Sequence, residues 1–339
     1  MKAGGALYGG LAGIADQARE LEEQGADYAS SFEVGHDPLM QLTVAAAATE
    51  KVQLMTSILV AFGRSPMTVA NMAHDVNALS KGRLMLGIGS QIQPHIEKRF
   101  SMPWSRPAAR MREYVLALKA ILACWYEGKP LDFRGEFYTH TLMTPMFIPT
   151  DSEYGAPPVL VAAVGPLMTE SAAEVADGLL LHAFTTEEYV RQVTLPAVEA
   201  GLAKSGRSRT DLQIVGAPFV VTGRNEEEFE RVKLAARNQV AFYASTPAYR
   251  GVLESIGYGE LQPELNRLSK AGQWLEMGQR IDDDLLERIA LVGEPPQIGE
   301  KLTRRYGGIF DFCPAGIVTG DAYSAIEYQP DLAEAIRGA

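Results

Sequence analysis

Proton exchange near neutral pH needs carboxylates or imidazoles held where a substrate can reach them. Three such groups fall just after runs that read as β-strands. Glu33 follows Asp27 to Phe32, His36 lies further along the same turn, and His182 ends the run Asp177 to Leu181. Imidazole titrates in the physiological range, so His36 and His182 are candidate acid/base groups, with His182, at a strand end, the better placed to face a ligand. Each histidine also has a plainer reading as a hydrogen-bonded structural side chain, and Glu33 one as a solvated loop glutamate. His74, on a helix face, and His140, after a short hairpin, read as structural. Backbone cradles form a second class of candidate. Gly87-Ile88-Gly89-Ser90 would let a ligand approach the chain at a strand's carboxyl end. Gly165-Pro166-Leu167 opens a helix, where free amides and the helix dipole favour an anion.

Several chemistries are disfavoured. The glycines at 87 and 89 lack the third glycine of a dinucleotide fingerprint, and no GxSxG elbow is present. The five histidines are scattered, without HExxH or paired-cysteine spacing, so no metal site is expected.

The elements that must position these groups are organised around Val52 to Gln91. Val52 to Val60 is an apolar strand, Val69, Met72, Ala73, Val76 and Leu79 recur at helical spacing, and Arg83 to Ile88 is a second strand. Gly82 stands where a helix C-terminal glycine is expected. A first strand apolar on both faces suits a parallel sheet covered by helices. Before this unit come an amphipathic helix ending at Gly25 and a helix opening at Pro38. After it, Arg110 to Trp125 reads as a long amphipathic helix, Val159 to Ala163 as a buried strand, and Leu212 to Thr222 as another. The closing strand is expected near Ile309 to Cys313. Parallel α/β proteins place chemistry at strand carboxyl ends.

Over 339 residues the net charge is −11, which opposes nonspecific binding to nucleic acid or to an anionic membrane. No apolar stretch reaches the roughly 18 residues that a membrane span requires. Cys124 and Cys313 are too few for a disulfide framework, so a cytoplasmic protein is expected. The opening run MKAGGALYGG breaks at Gly9-Gly10 and passes into a helix, reading as a first strand rather than a signal peptide.

TSILVAFGRSP, then NALSKGRLMLGIGSQ, FRGEFYTH and PPVLVAAVGPLMTESAAEVADGLLLHAFT, resemble in the same order the luciferase-like monooxygenase superfamily, with its coenzyme F420-dependent branch the nearer. The resemblance extends from about Gly25 to about Thr222. It implies a single (β/α)8 TIM barrel over residues 1–339, with insertions at about 91–150 and 245–292. It also implies a deazaflavin coenzyme, or alternatively FMN, with hydride passing between the ring's C5 and a small organic substrate. On this basis Ser57-Ile58 aligns with a non-prolyl cis peptide that bulges against the ring, and Glu33 with an acidic residue near it. Ser57, Ile58, Gly89, Ser90, Gly165, Pro166 and Leu167 become the expected coenzyme contacts, and a homodimer is expected. Sugar-phosphate dehydrogenases of this branch carry a histidine, a glutamate and a lysine where this chain has Val34, Ile92 and Thr185. The expected substrate is therefore non-phosphorylated, neutral or apolar, met by Met, Phe and Trp residues in Phe100 to Trp104 and Met143 to Phe147. An FMN monooxygenase on the same fold and a noncatalytic barrel serving as a partner subunit are the alternatives.

Overall fold

Short apolar runs followed by helix-start signals repeat along the chain, and each repeat becomes one strand and one helix. The computed structural model describes residues 1–318 and 326–339. The strands are β1 (Lys2–Leu7), β2 (Tyr28–Ser31), β3 (Gln53–Thr56), β4 (Leu84–Gly89), β5 (Val159–Ala163), β6 (Gly178–Leu181), β7 (Gln213–Val215) and β8 (Phe312–Pro314). All pair in parallel, and the ring closes where β3 meets β4 at Leu54 and Leu84, and where β1 meets β8 at Lys2 and Phe312. This is the expected (β/α)8 barrel.

The helices around it are α1 (Ile14–Glu23), α2 (Pro38–Ala48), α3 (Pro66–Leu79), α4 (Pro107–Glu127), α5 (Pro166–Val175), α6 (Leu195–Ser205), α7 (Glu226–Ala244) and α8 (Pro295–Tyr306). Local chemistry fixes their starts. Asp37 accepts from the amides of Leu39 and Met40, Ser65 from Thr68 and Asn225 from Glu228, while proline occupies the first turns of α2, α3 and α5.

The barrel interior is a packed plug of Tyr28, Met55, Met85, Leu160, Leu180, Val215 and Phe312, with Tyr28 edge-on to Phe312 at 5.6 Å between ring centroids. Gly87 makes this packing possible, because a Cβ there would lie 2.0 Å from the Thr56 carbonyl oxygen and 2.6 Å from the Leu180 side chain.

Strand boundaries depart from the sequence reading in three places. Val52 to Val60 is interrupted at Ser57-Ile58, which is a cis peptide, and resumes as the two-residue strand Leu59–Val60 against β4. Leu212 to Thr222 is two strands, because Pro218 cannot donate to a ladder; the second, Phe219–Val221, leaves the barrel and pairs with Ala290–Val292. That latter strand lies in the segment expected as an insertion, at about 245–292. The closing strand sits slightly later than expected, at Phe312–Pro314.

After β8 the tail forms an antiparallel pair, Gly316–Val318 with Ile326–Tyr328, and a helix, Pro330–Arg337, tied back by Arg337 to Asp27 at 3.0 Å. The rest of that tail, over 319–325, lies outside the described residues. Among the described residues, no helix is long and apolar enough to cross a membrane.

Candidate active site

Where the strands end, above the Tyr28–Phe312 layer, the barrel opens into a cavity of about 420 Å³. Strand ends and the loops after them supply its floor and walls: Ser30, Glu33, Ser57, Ile58, His182 and Pro314. One side is a helix face, Val232, Ala236, Gln239 and Tyr243 of α7, with Phe219 and Val220 beside it. A second cavity, of about 1050 Å³, lies outside the ends of β4 and β5. Ser90, Trp104, Arg106, Arg112, Gly165, Pro166, Leu167 and Lys204 line it. Gln91, at φ 60°, borders both.

The expected site residues divide between these cavities. Glu33, Ser57, Ile58 and His182 line the first; Ser90, Gly165, Pro166 and Leu167 line the second. Two expectations need correction. His36 is exposed and lines neither cavity, because the turn after β2 carries it outward. Gly89 also lines neither; a Cβ there would lie 3.0 Å from Ile58 Cδ1, so its role is to leave room for the Ile58 side chain. The apolar rim segments do not form the first cavity either. Phe100 packs over Gly63, Trp104 faces the second cavity, and Met146 and Phe147 are exposed.

Glu33 enters the site already paired. Its Oε2 accepts from the Val60 amide at 2.8 Å and from Arg64 Nη1 at 2.8 Å, while Arg64 Nη2 reaches Asp37 at 2.7 Å. The Glu33 amide donates to the Ile58 carbonyl at 3.1 Å. Burial works against the Arg64 charge, but the hydrogen bonds and charges of Glu33 and Asp37 more than offset it and raise its pKa. This cluster fastens the turn after β2 to the chain that carries Ser57-Ile58. Glu33 therefore ties these two segments together.

His182 is differently held. Its Nδ1 accepts from the Phe184 amide at 3.0 Å, which assigns the ring proton to Nε2. Tyr243 meets the ring edge-on at 4.5 Å and Tyr249 lies tilted at 4.8 Å. Burial pushes its pKa down to about 4, so the ring is neutral at pH 7 and offers an N–H donor.

The second cavity is charged. Arg112 pairs with Glu174 at 2.5 Å, Lys204 with Glu170, and Arg106 with Glu136. Gly165, at φ 77°, introduces α5, whose first turn has no capping side chain. Pro166 has no amide hydrogen, so Leu167 and Met168 carry the first unpaired donors of the helix. Among the described residues, no group of three or more His, Cys, Asp or Glu side chains is placed to hold a metal ion.

The α7 wall was missed by sequence reasoning. Residues 232, 236, 239 and 243 follow helical spacing and read as an ordinary core stripe. The one local signal was Gln239, an amide set in that stripe.

A parallel barrel with paired cavities at its carboxyl rim defines a ligand-binding α/β barrel of the enzyme type. The luciferase-like monooxygenase family model matches residues 2–311, and the chain belongs to that family. An uncharacterized protein of Mycobacterium tuberculosis, Rv1360, is 49% identical over 311 residues, covering 92% of each chain. The 5,10-methylenetetrahydromethanopterin reductase of Archaeoglobus fulgidus is 28% identical over 267 residues, covering 77% of this chain and 75% of its own. Among solved structures, the coenzyme F420-dependent tetrahydromethanopterin reductase of Methanopyrus kandleri superposes with a TM-score of 0.76 at 21% identity, covering 99% of this chain and 96% of its own, a likeness of fold.

Proposed function

We propose that this protein is a coenzyme F420-dependent oxidoreductase acting on a small, non-phosphorylated organic substrate. The observation that carries this reading is the junction of an apolar cavity with a charged one at Gln91. A flat ring suits the first cavity and a phosphate-bearing tail the second, since the uncapped amides of α5 favour an anion. The names of two bacterial sequence relatives, a putative coenzyme F420-dependent oxidoreductase of Mycobacterium tuberculosis and an F420-dependent glucose-6-phosphate dehydrogenase of Beutenbergia cavernae, support the deazaflavin over FMN.

When bound, the coenzyme supplies hydride chemistry at the ring's C5. In this reading the chain itself positions and excludes water. Ser57 and Ile58 form one wall for the ring, with Ile58 packed over Gly89. The Glu33–Arg64–Asp37 cluster holds that wall in place. Ser90, Gly165, Pro166 and Leu167 border the anionic part, with Lys204 and Arg112 adding positive charge beside it. His182 offers a neutral Nε2–H to the apolar cavity. A homodimer in the cytoplasm belongs to this reading, and sedimentation of the purified protein checks the first part.

The test is titration of the purified protein with coenzyme F420 and, separately, FMN, followed by fluorescence. Micromolar binding of the deazaflavin alone is expected. A preference for FMN would move the protein to the oxygen-using side of the family, and binding of neither would point to a noncatalytic barrel.

A further inference from the structure

We propose that Gln239 is a specificity-determining residue of the apolar cavity and that, with His182, it recognises a neutral oxygen, carbonyl or hydroxyl, on an otherwise apolar molecule. The inference rests on the reading above, in which this cavity receives the substrate beside the coenzyme ring.

Gln239 and Tyr243 stand one turn apart on α7 and both line the cavity. The Tyr243 ring lies 4.5 Å from the His182 ring, so the α7 face that carries Gln239 and the strand end that carries His182 meet at this cavity. Neither the Gln239 amide nor His182 Nε2 has a hydrogen-bond partner among the described residues, although both belong to half-buried side chains. Neither group is sealed from solvent, so both stay available to a ligand that enters the cavity. Ile58, Phe219, Val220, Val232 and Ala236 make the apolar part of the lining, and Ser30, Ser57, Gln91 and Tyr243 are its other uncharged polar side chains.

Charge selects the partner's class. Among the described residues lining this cavity there is no lysine or arginine, so an anionic group would meet no cation. The one carboxylate, Glu33, is already paired with Arg64 at 2.8 Å, so a cationic group would have to compete with a built-in guanidinium. An uncharged oxygen is different. It accepts from Gln239 Nε2 and from His182 Nε2 together, and the rest of its molecule takes the apolar wall.

Three probes of similar size and different charge test this: cyclohexanone, cyclohexanecarboxylate and cyclohexylammonium, titrated by ligand-observed NMR into the wild-type protein and Gln239→Leu, with and without coenzyme F420. Cyclohexanone is expected to bind about tenfold or more tighter than either ion, and Gln239→Leu to weaken it by about tenfold, the loss of one buried hydrogen bond. Coenzyme affinity and melting temperature of the variant should match the wild type, which separates lost recognition from lost folding. Gln239→Asn, which keeps an amide on a shorter arm, should recover part of the affinity. Equal binding of an ion, unchanged cyclohexanone binding in Gln239→Leu, or no cyclohexanone binding to the wild type would each overturn the proposal. Failure of the coenzyme to bind the wild type would instead overturn the parent reading, and the probe titrations without coenzyme would still decide the role of Gln239.

Discussion

The two cavities meet at Gln91 yet are built on opposite electrostatic plans. The first has one charged lining residue among those described, Glu33, neutralised by Arg64. The second carries Arg106, Arg112 and Lys204, each paired with a glutamate that an incoming anion could displace. Around the first, fixed dipoles and a buried ion pair are set before any ligand arrives, whereas the second keeps exchangeable, partly solvated charges. Charges near water are cheap to rearrange and weak in effect, while buried ones are costly and hold their geometry. In the proposed reading, this contrast puts orientation in the barrel mouth and anion capture outside it.

The largest test of this division lies at the strand between the cavities. Gly87→Ala puts a methyl group against the Thr56 carbonyl and Leu180, and it should cost about 3 kcal/mol or more in chemical denaturation. An unchanged midpoint would mean that β4 is not wedged as described.

Next in size is the pH dependence of the neutral imidazole. His182 has its pKa lowered by burial from 6.5 to about 4, so between these values the unfolded chain binds more protons than the folded one. Stability should therefore rise with pH across that window, be complete above it, and fall by up to about 3 kcal/mol towards its lower end. His182→Asn should flatten this slope, and a variant with the same slope would assign it elsewhere.

Arg64→Met leaves Glu33 and Asp37 uncompensated and should destabilise by about 2 kcal/mol, since the cluster is only partly shielded from water. Glu33→Gln is the sharper comparison. Its amide oxygen can still accept from the Val60 amide, so a clasp predicts modest losses in stability and turnover together. Abolished turnover with unchanged stability would restore Glu33 as a proton carrier.

The smallest effect is expected on the charged side. Gly165→Ala meets no atom within 4 Å, so its cost is backbone strain at φ 77°, about 1 kcal/mol. Coenzyme affinity should fall several-fold, with cyclohexanone binding preserved. Loss of both would show that the cavities are not separable.

Much of the fold was legible because the relevant signals are local. The helix starts at Pro38 and Pro166, the glycine after α3 and the apolar strands all follow from what one residue does to its own backbone. Leu212 to Thr222 reads as one strand because its apolar run hides the break that the missing donor of Pro218 imposes. Ala290–Val292 was missed because a three-residue strand carries almost no periodicity of its own. At the site, Ser57-Ile58 was singled out through family resemblance and Gly165-Pro166 through its place at a helix start, while His36 illustrates the limit of proximity in sequence: a side chain three residues past Glu33 faces solvent.

By itself the sequence determined a parallel α/β chain, its strand ends as the place for chemistry, and the residue types available there. Only the tertiary structure decided which of those residues share a space. It committed the Glu33 carboxylate to Arg64, kept His182 neutral by burying it, and brought α7, far along the chain, to complete the apolar cavity. The reason is physical: a side chain's type sets what it can donate, accept or ionise, but its protonation and reach depend on partners and burial, which long-range packing alone supplies.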